Sequence, residues 1–583
     1  MPDDSRVVPT PASPDLPTNT ILVNGTALAD TYRVLSIKVS HVAHKIPEAI
    51  VVLLDGDVST ETFPASNGAD LMPGAEIEIK AGYHGQEETI FKGMVVKQGI
   101  KILQDRSPTI NIVAKHSMFK TTLNRSTNSF RDKKDSEIIE ELIPSDKDVD
   151  ATTITHKHLL QSYCTDWDFL NIRAEANGLF VLPKYDNILV KKPVLDAAPV
   201  LNLYYGTSIL EFEADMDARS CYTEVKTKGW SAADQQIIES STTNDWDGKE
   251  PGNFKANDAA SAMGNSSLNL YWQGDTVSEN LDVVAKAAMI RHHLSKICGR
   301  VQCIGFATVW PGDIVELNGV GERYVGKVYV TGVSQSILEG RWFTDIQFGY
   351  KSKPYAAQYK DIVEQPALGY MPGIQGLQIG TVSKLESDPL SEFRVLVKLP
   401  TQGGAEEAMW ARIATLDAGK ERGSYFRPEI DDEVIIGFVD NNPLQAVILG
   451  CLHSSKNAAP ITPADNNHIK GIYSREKMKW QMDDEKKEML FDTPAGNKIL
   501  VSEDQKGITL EDQNGNKIVM NDSGIEITSI KDFKVTASSG DIKMEGVNVE
   551  LSASAQFKAS GSAGSEVSSS GVTNIKGSIV NVN

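Results

Sequence analysis

Between Val547 and Ala559 every second residue is apolar: Val547, Val549, Leu551, Ala553, Ala555, Phe557 and Ala559 alternate with polar residues. Phe533, Val535 and Ala537, and then Ile542 and Met544, keep the same period. A two-residue period describes strands with one buried face. Half the positions here are polar, however, and many of the rest are only alanine. Burying a large side chain contributes about 1.5–3 kcal/mol, whereas ordering a residue costs about 1.5 kcal/mol. One copy of this segment is therefore in deficit. It has no helix to cover its apolar face, and open strand edges invite pairing. The missing surface comes either from a solenoid that coils on itself or from identical faces of several chains around a shared axis. The strands are short, and the buried set shrinks to Ala, Ser and Gly towards 553–565. Both features favour a narrow three-fold β-prism with Val547, Val549, Leu551 and Phe557 in the trimer core.

The segment before it repeats itself. "GNKI" stands at 496–499 and again at 515–518, each time followed by a strand, a polar turn with glycine and a second strand. Further upstream, 20–120 reads as β, with a hairpin signal at Asn24-Gly25 and alternation at Ile37, Val39 and His41. Helices are expected over "DSEIIEELIP", starting at Asp135 or Ser136 and stopped by Pro144, and over "TDWDFLNIRAEANG". In the second, Thr165 and Asp168 have capping-box spacing, Asn177-Gly178 supplies the stop, and Trp167, Leu170 and Ala174 share a face. A third helix is expected from Ser278 to about Ile297, ending at Gly299.

The block 72–114 returns at 310–349. Pro73-Gly74 matches Pro311-Gly312, and "FKGMVVKQGIKI" matches "YVGKVYVTGVSQSI" with Gly93 over Gly326 and Gly99 over Gly332. This predicts two copies of one fold, side by side in a pseudo-six-fold ring. A Pro/Gly-rich break at 365–376 precedes five expected strands at 377–385, 391–399, 408–415, 433–439 and 446–453, with Phe393, Val395, Val397 and Leu399 facing one way. Five short strands in about 80 residues suit an OB-type barrel.

Composition closes off several functions. The chain has 583 residues and a net charge of -20, the wrong sign for nucleic acid or an anionic membrane. Within 373–455 there are 7 Lys+Arg against 12 Asp+Glu, so the barrel lacks the basic groove that single strands need. No apolar run approaches the roughly 18 residues of a membrane span. The Pro-rich N-terminus has no apolar h-region, so no signal peptide is expected and residues 1–19 read as a disordered arm. Five scattered cysteines without a CxxC suit reduced thiols and cytoplasmic assembly.

Candidate chemistry is sparse. His156 and His158 share a face if they lie on a strand, but a metal needs further ligands at recognisable spacing. His292-His293 reads as helix surface plus one packed imidazole, Cys298 and Cys303 as packing at a helix end, and "DDEKKE" at 483–488 as a solvated run. A glycosidase needs two carboxylates across a cleft, which no spacing here defines. About 45 residues separate Cys451 from Gly496, too few for an inserted hydrolase, and the chain ends at Asn583 still in β-pattern. No catalytic, cofactor-binding or metal residues are expected.

These pieces resemble a known family. "QSYCTDWDFLNIRAEANGLF" (161–180) is similar to the hub signature of VgrG, the spike of type VI secretion and related contractile injection systems. "FRPEIDDEVIIGFVDNNPLQAVILGCLHS" (426–454) is similar to the end of its barrel, and "GNKI" repeats are usual in its β-helix. Cys164 stands where the family often has glutamate, and Asp431 where it often has glycine. The ending "FKASGSAGSEVSSSGVTNIKGSIVNVN" resembles extracellular contractile injection particles or Bacteroidetes-type systems more than common type VI spikes. The resemblance implies a mainly β fold with minor α. It places a hub of two tube-like β-barrels with helical insertions at 20–364, a linker at 365–376, an OB-fold at 377–455, neck strands at 456–495 and an intertwined trimeric β-helix at 496–583. It implies a homotrimer that adapts a hexameric inner tube to a three-fold needle, contacts baseplate proteins and punctures an envelope without stable membrane insertion. It also implies a PAAR-type tip protein, docked on Ile579, Val580, Val582 and Asn583, and effector cargo, all delivered out of a bacterium in a particle. The alternative is a secreted or surface β-helix protein that is adhesive or acts on polysaccharide.

Overall fold

A computed structural model describes residues 16–246, 248–400 and 408–582. The chain divides into two compact units, Met1–Gln375 with Asp440–Pro443, and Gly376–Val439 with Leu444–Asn583. Of the expected arm, residues 1–15 lie outside the described residues. Residues 17–19 belong to the first strand, where Pro17 occupies the initial position that tolerates a missing N–H.

The first unit is built on a 13-stranded sheet. Its first half holds β1 (Pro17–Val23), β2 (Val34–Val42), β3 (Glu48–Leu54), β4 (Glu76–Tyr83), β5 (Gln86–Leu103) and β6 (Arg106–Lys115). Two helices follow, α1 (Asp135–Leu142) and α2 (Asp166–Ala176). The second half begins with β7 (Leu201–Tyr204) and β8 (Glu211–Met216). An insertion of β9 (Glu224–Ser231), β10 (Gln236–Thr243), β11 (Ser267–Asp275) and α3 (Ser278–Leu294) intervenes. The half is completed by β12 (Ile297–Ile304), β13 (Ile314–Asn318), β14 (Gly326–Leu338) and β15 (Arg341–Phe348).

The two halves repeat one topology. In the first the neighbours run β2-β3-β6-β5-β4-β1; in the second they run β8-β12-β15-β14-β13-β7. Gly74 N–H donates to Val95 O at 2.8 Å, and Gly312 N–H donates to Val330 O at 2.8 Å. Both glycines hold left-handed backbone, φ 103° and 101°. Immediately after Val95 and after Val330 the ladder carries the same bulge. One inward-facing row crosses each half: Val39–Ala49–Ala114–Val95, all buried, in the first and Ala214–Gly299–Phe348–Val330 in the second, where Phe348 and Val330 are buried and Ala214 and Gly299 only partly so. The repeat is therefore real, but its register is two residues away from the glycine alignment, which paired Gly93 with Gly326. Those two glycines serve different ends. A Cβ on Gly93 would lie 2.4 Å from Lys115 O, whereas Gly326 has φ 125°. The halves also differ at their outer strand: β1 runs antiparallel to β4, but β7 runs parallel to β13. Each half wraps its own apolar core, Ile37, Ile79 and Phe91 in one and Val301, Val315 and Ile346 in the other. The halves join where β14 pairs β2, Ile337 opposite Ile37.

α2 follows its sequence cues. The Thr165 hydroxyl accepts the Asp168 N–H, Gly178 takes φ 69°, and Trp167, Leu170 and Ala174 are buried. α3 stops at Leu294, three residues before the expected end, because Ile297 is drawn into a ladder with Met216. Cys298 and Cys303 therefore lie on β12 rather than at a helix end.

In the second unit β16 (Gln378–Lys384), β17 (Val395–Lys398), β18 (Ala408–Ile413), β19 (Glu433–Phe438) and β20 (Ala446–Cys451) close into a barrel, β16-β17-β18-β20-β19. Val395, Val397 and Leu399 face its core, but Phe393 does not. It precedes the strand with φ 56° and is 82% exposed. Seven five-residue strands follow as one antiparallel meander. They are β21 (Ile469–Tyr473), β22 (Lys479–Asp483), β23 (Glu488–Asp492), β24 (Lys498–Ser502), β25 (Gly507–Glu511), β26 (Lys517–Asn521) and β27 (Gly524–Thr528). β23 pairs β24 without a break at 495/496. Among the described residues, no strand is formed beyond Thr528.

Candidate functional site

The meander repeats one device. In both "GNKI" copies the glycine sits in a turn at positive φ, Gly496 at 97° and Gly515 at 90°. The asparagine that follows it ties its turn to the next: Asn497 Oδ1 accepts Gln513 N–H at 3.1 Å, and Asn516 Oδ1 accepts Ile530 N–H at 2.9 Å. The equal strand lengths keep side chains in rows. Ile472, Trp480, Phe491, Ile499, Leu510, Ile518 and Ile527 stand opposite one another across all seven strands. Met482, Met489, Val501, Ile508, Met520 and Ile525 form a second row on the same face. Trp480 and Phe491 stack at 5.7 Å. The opposite face carries a charge ladder, with Lys479–Asp492 at 3.2 Å and Lys498–Glu511 at 3.0 Å. Cross-strand pairs of these kinds stabilise a sheet, but they leave the apolar face in water: Phe491 is 49% and Ile499 45% exposed. At one end of the sheet a concavity of about 720 Å³, lined by Phe491, Ile499, Leu510, Ile518, Ile527 and Phe533 among others, opens onto these rows. A continuous apolar face of this size marks an interaction surface.

The residues expected at the trimer core lie beyond the meander and are exposed in the single chain: Val547 fully, Val549 at 56%, Leu551 and Phe557 at 63%. Ile579, Val580 and Val582, expected to dock a tip protein, are exposed as well. Asn583 lies outside the described residues. The meander rows themselves escaped the sequence reading, although their signal is present as alternation in "KWQMD", "EMLFD" and "KILVS".

The titratable groups singled out above are held in structural roles. His156 Nε2 lies 3.0 Å from Asp135 Oδ2, whereas His158 Nε2 faces Ser129 Oγ, so the two imidazoles do not converge. Asp135 is buried and also accepts from Arg173 Nε at 2.6 Å and Nη2 at 2.8 Å and from Asn177 Nδ2 at 2.9 Å. Burial pushes its carboxyl up, but Arg173, His156 and Asn177 outweigh this and hold it below the ordinary value. His293 is buried against Trp246, while His292 Nδ1 lies 3.1 Å from Ser220 O. A buried ion pair, Lys296 Nζ to Glu250 Oε1 at 3.3 Å, was not foreseen. Burial pushes the Cys303 thiol up to about 12 and the Cys298 thiol up to about 11, away from thiolate chemistry. The 483–488 run is a hairpin turn, exposed over 484–487. Among the described residues, no cluster of His, Cys, Asp and Glu could hold a metal ion, and no helix is long and apolar enough to cross a membrane.

A mainly β chain with a duplicated hub, a closed five-stranded barrel and a C-terminal apolar meander is a VgrG-like spike protein. Residues 378–453 match the type VI secretion system/phage-baseplate injector OB domain, and 488–555 match the phage baseplate V C-terminal trimerisation domain. Residues 13–339, more than half of the sequence, match the Alg8 N-terminal domain, and the chain belongs to that family. Among curated proteins it is similar to the type VI secretion system spike proteins VgrG5 and VgrG4b of Pseudomonas aeruginosa. VgrG5 is 27% identical over 145 residues, 23% of this chain and 18% of that protein. VgrG4b is 24% identical over 123 residues, 20% and 15%. The chain thus spans less than a fifth of the length of these relatives. Among solved structures, the 43 kDa tail protein of prophage MuSo2 from Shewanella oneidensis aligns with TM-score 0.44 at 10% identity, over 58% of this chain and 99% of that one. The E. coli c3393 protein, a type VI secretion component, aligns with TM-score 0.37 at 13% identity, over 74% and 99%.

Proposed function

We propose that three copies of this chain form the central spike of a contractile injection machine. The observation that carries the reading is the apolar face of β21–β27, half-exposed in one chain and continuous across seven strands. Three such faces turned onto one axis bury each other, and the alternating residues 529–582 then find neighbours in the other chains. Val547, Val549, Leu551 and Phe557 line that axis. The match to a trimerisation domain supports the same reading. The duplicated hub supplies six similar copies per trimer, suited to a hexameric inner tube and to neighbouring baseplate proteins. The far end, with Ile579, Val580, Val582 and Asn583, docks a PAAR-type tip protein, and sheath contraction drives the assembly and any effector through an envelope and out of the cell. The work is mechanical, and the chain catalyses nothing.

Native mass spectrometry of the purified protein tests the core of this: a trimer is expected, and a monomer overturns it. Removal of 578–583 leaves the trimer intact and abolishes capture of the tip protein. Capture at undiminished affinity by the shortened spike refutes the docking site alone.

A further inference from the structure

The repeat has one internal junction and leaves its two counterparts open. Inside the chain, Gly332–Leu338 of β14 pairs antiparallel with Ser36–Val42 of β2. By the shared row and bulge, the counterpart of Gly332–Leu338 is Lys97–Leu103 of β5, and the counterpart of Ser36–Val42 is Glu211–Asp217, which is β8 and the next residue. Among the described residues, Lys97–Leu103 pairs only with β6, since β4 leaves the ladder at Met94. Likewise β8 pairs only with β12.

Burial records the vacancy. Ile37, Val39 and His41 are 1%, 0% and 4% exposed, whereas their counterparts Phe212, Ala214 and Met216 are only partly buried. Gln335 and Ile337 are 3% and 7% exposed, but their counterparts Ile100 and Ile102 are 51% and 64% exposed. Bare edges with apolar side chains are a liability that proteins normally cover.

We propose that Lys97–Leu103 of one copy adds in antiparallel register to Glu211–Asp217 of the next, repeating between chains the junction seen within one. The occupant is a second copy of this chain, so the inference rests on the trimeric reading above and specifies its hub contact. Transferring the internal register sets Ile100 opposite Ala214 and Ile102 opposite Phe212, continuing the apolar side. On the other side it sets Lys97 opposite Asp217 and Lys101 opposite Glu213. Among the described residues neither lysine has an ion-pair partner within the chain. Asp217 is already paired with Arg219, and Glu213 with Arg300 at 3.3 Å, but the Glu213 side chain is still 74% exposed. Complementary charge and apolar faces thus coincide in the one register that the internal junction dictates. The contact joins different surfaces on the two partners, the kind that closes into rings.

The test is a disulfide in the full-length protein carrying Cys451→Ser, which removes the exposed native thiol. Directly opposed antiparallel residues have Cα atoms about 4.5–5.5 Å apart, within disulfide reach, whereas diagonal neighbours at about 7–8 Å are beyond it. Lys101→Cys with Glu213→Cys is expected to give covalent trimer on mild oxidation. Lys101→Cys with Glu211→Cys, two residues out of register, is expected to give at least tenfold less. In parallel, Lys101→Glu and Glu213→Lys singly weaken the hub contact and together restore it, read by the protection of 97–103 amides from hydrogen exchange. A trimer by native mass in which the Lys101/Glu213 pair forms no bond, or bonds no better than the Lys101/Glu211 pair, overturns this register and leaves the trimeric reading standing. A monomer by native mass overturns the trimeric reading, and this contact with it.

Discussion

His41 and His44 sit wholly inside the hub. His41 Nε2–H donates to Ile90 O at 2.9 Å and its ring meets Trp310 edge-on, while His44 Nδ1–H donates to Asn171 Oδ1 at 2.9 Å. Burial lowers both to about 4. The unfolded chain takes up protons near the ordinary value of 6.5, while the folded chain resists until about 4. Stability is therefore full above pH 6.5 and is lost as pH falls from there towards 4, by roughly 3 kcal/mol per histidine. Asp135 adds a second, more acidic loss, because its depressed carboxyl favours the fold only while ionised. Urea unfolding of the hub, followed by tryptophan fluorescence, is expected to show a midpoint that drops steeply between pH 6.5 and 4. His41→Gln, which keeps a donor for Ile90 O, flattens that drop. An unchanged slope in His41→Gln removes this histidine from the account.

The glycines of the repeated turn separate two costs at the level of the hairpin. Gly74 and Gly312 share a backbone that L-residues avoid, so alanine strains either by about 1–3 kcal/mol. At Gly74 the added methyl meets open space, but at Gly312 it comes 2.8 Å from Leu182 Cδ1. Gly312→Ala is expected to lower the hub's urea midpoint more than Gly74→Ala, and equal effects would assign the whole cost to backbone strain. The sequence made these turns legible because Pro-Gly is strong punctuation. It placed the barrel strands within a few residues because Val395 and Val397 alternate cleanly. It misplaced the end of α3 because the apolar pattern runs on past Leu294 and only the pairing of Ile297 with Met216 decides between helix and strand. Phe393 continued an alternation that the chain abandons at a left-handed residue. The register of the repeat was missed because Gly93 and Gly326 look alike as letters, although one permits close approach and the other a turn.

For the whole molecule, the half-covered faces predict that assembly and stability are one quantity. Leu551→Asp sets three carboxylates around one axis in the proposed trimer, at several kcal/mol per charge unless neutralised. In the full-length protein the trimer is expected to lose its resistance to heat and detergent while the hub's own urea transition stays fixed, and a Leu551→Asp trimer as resistant as the wild type would exclude that position from the axis. The alternation at 547–559 was legible, and its apolar residues lie exposed in the single chain. The broader face on β21–β27 was not, because its apolar residues become a surface only when seven hairpins put them in rows.

The parallel placement of β7 against β13, where β1 runs antiparallel to β4, bears on counting. In the proposed ring of three chains, a partner that touches strands common to both halves meets six sites of one topology. The ring offers three wherever the partner touches the outermost strand or the β9–β11 insertion. Stoichiometry then becomes an address. A component bound at six per spike reads the repeated strands, and one bound at three reads the margin where the two halves have diverged.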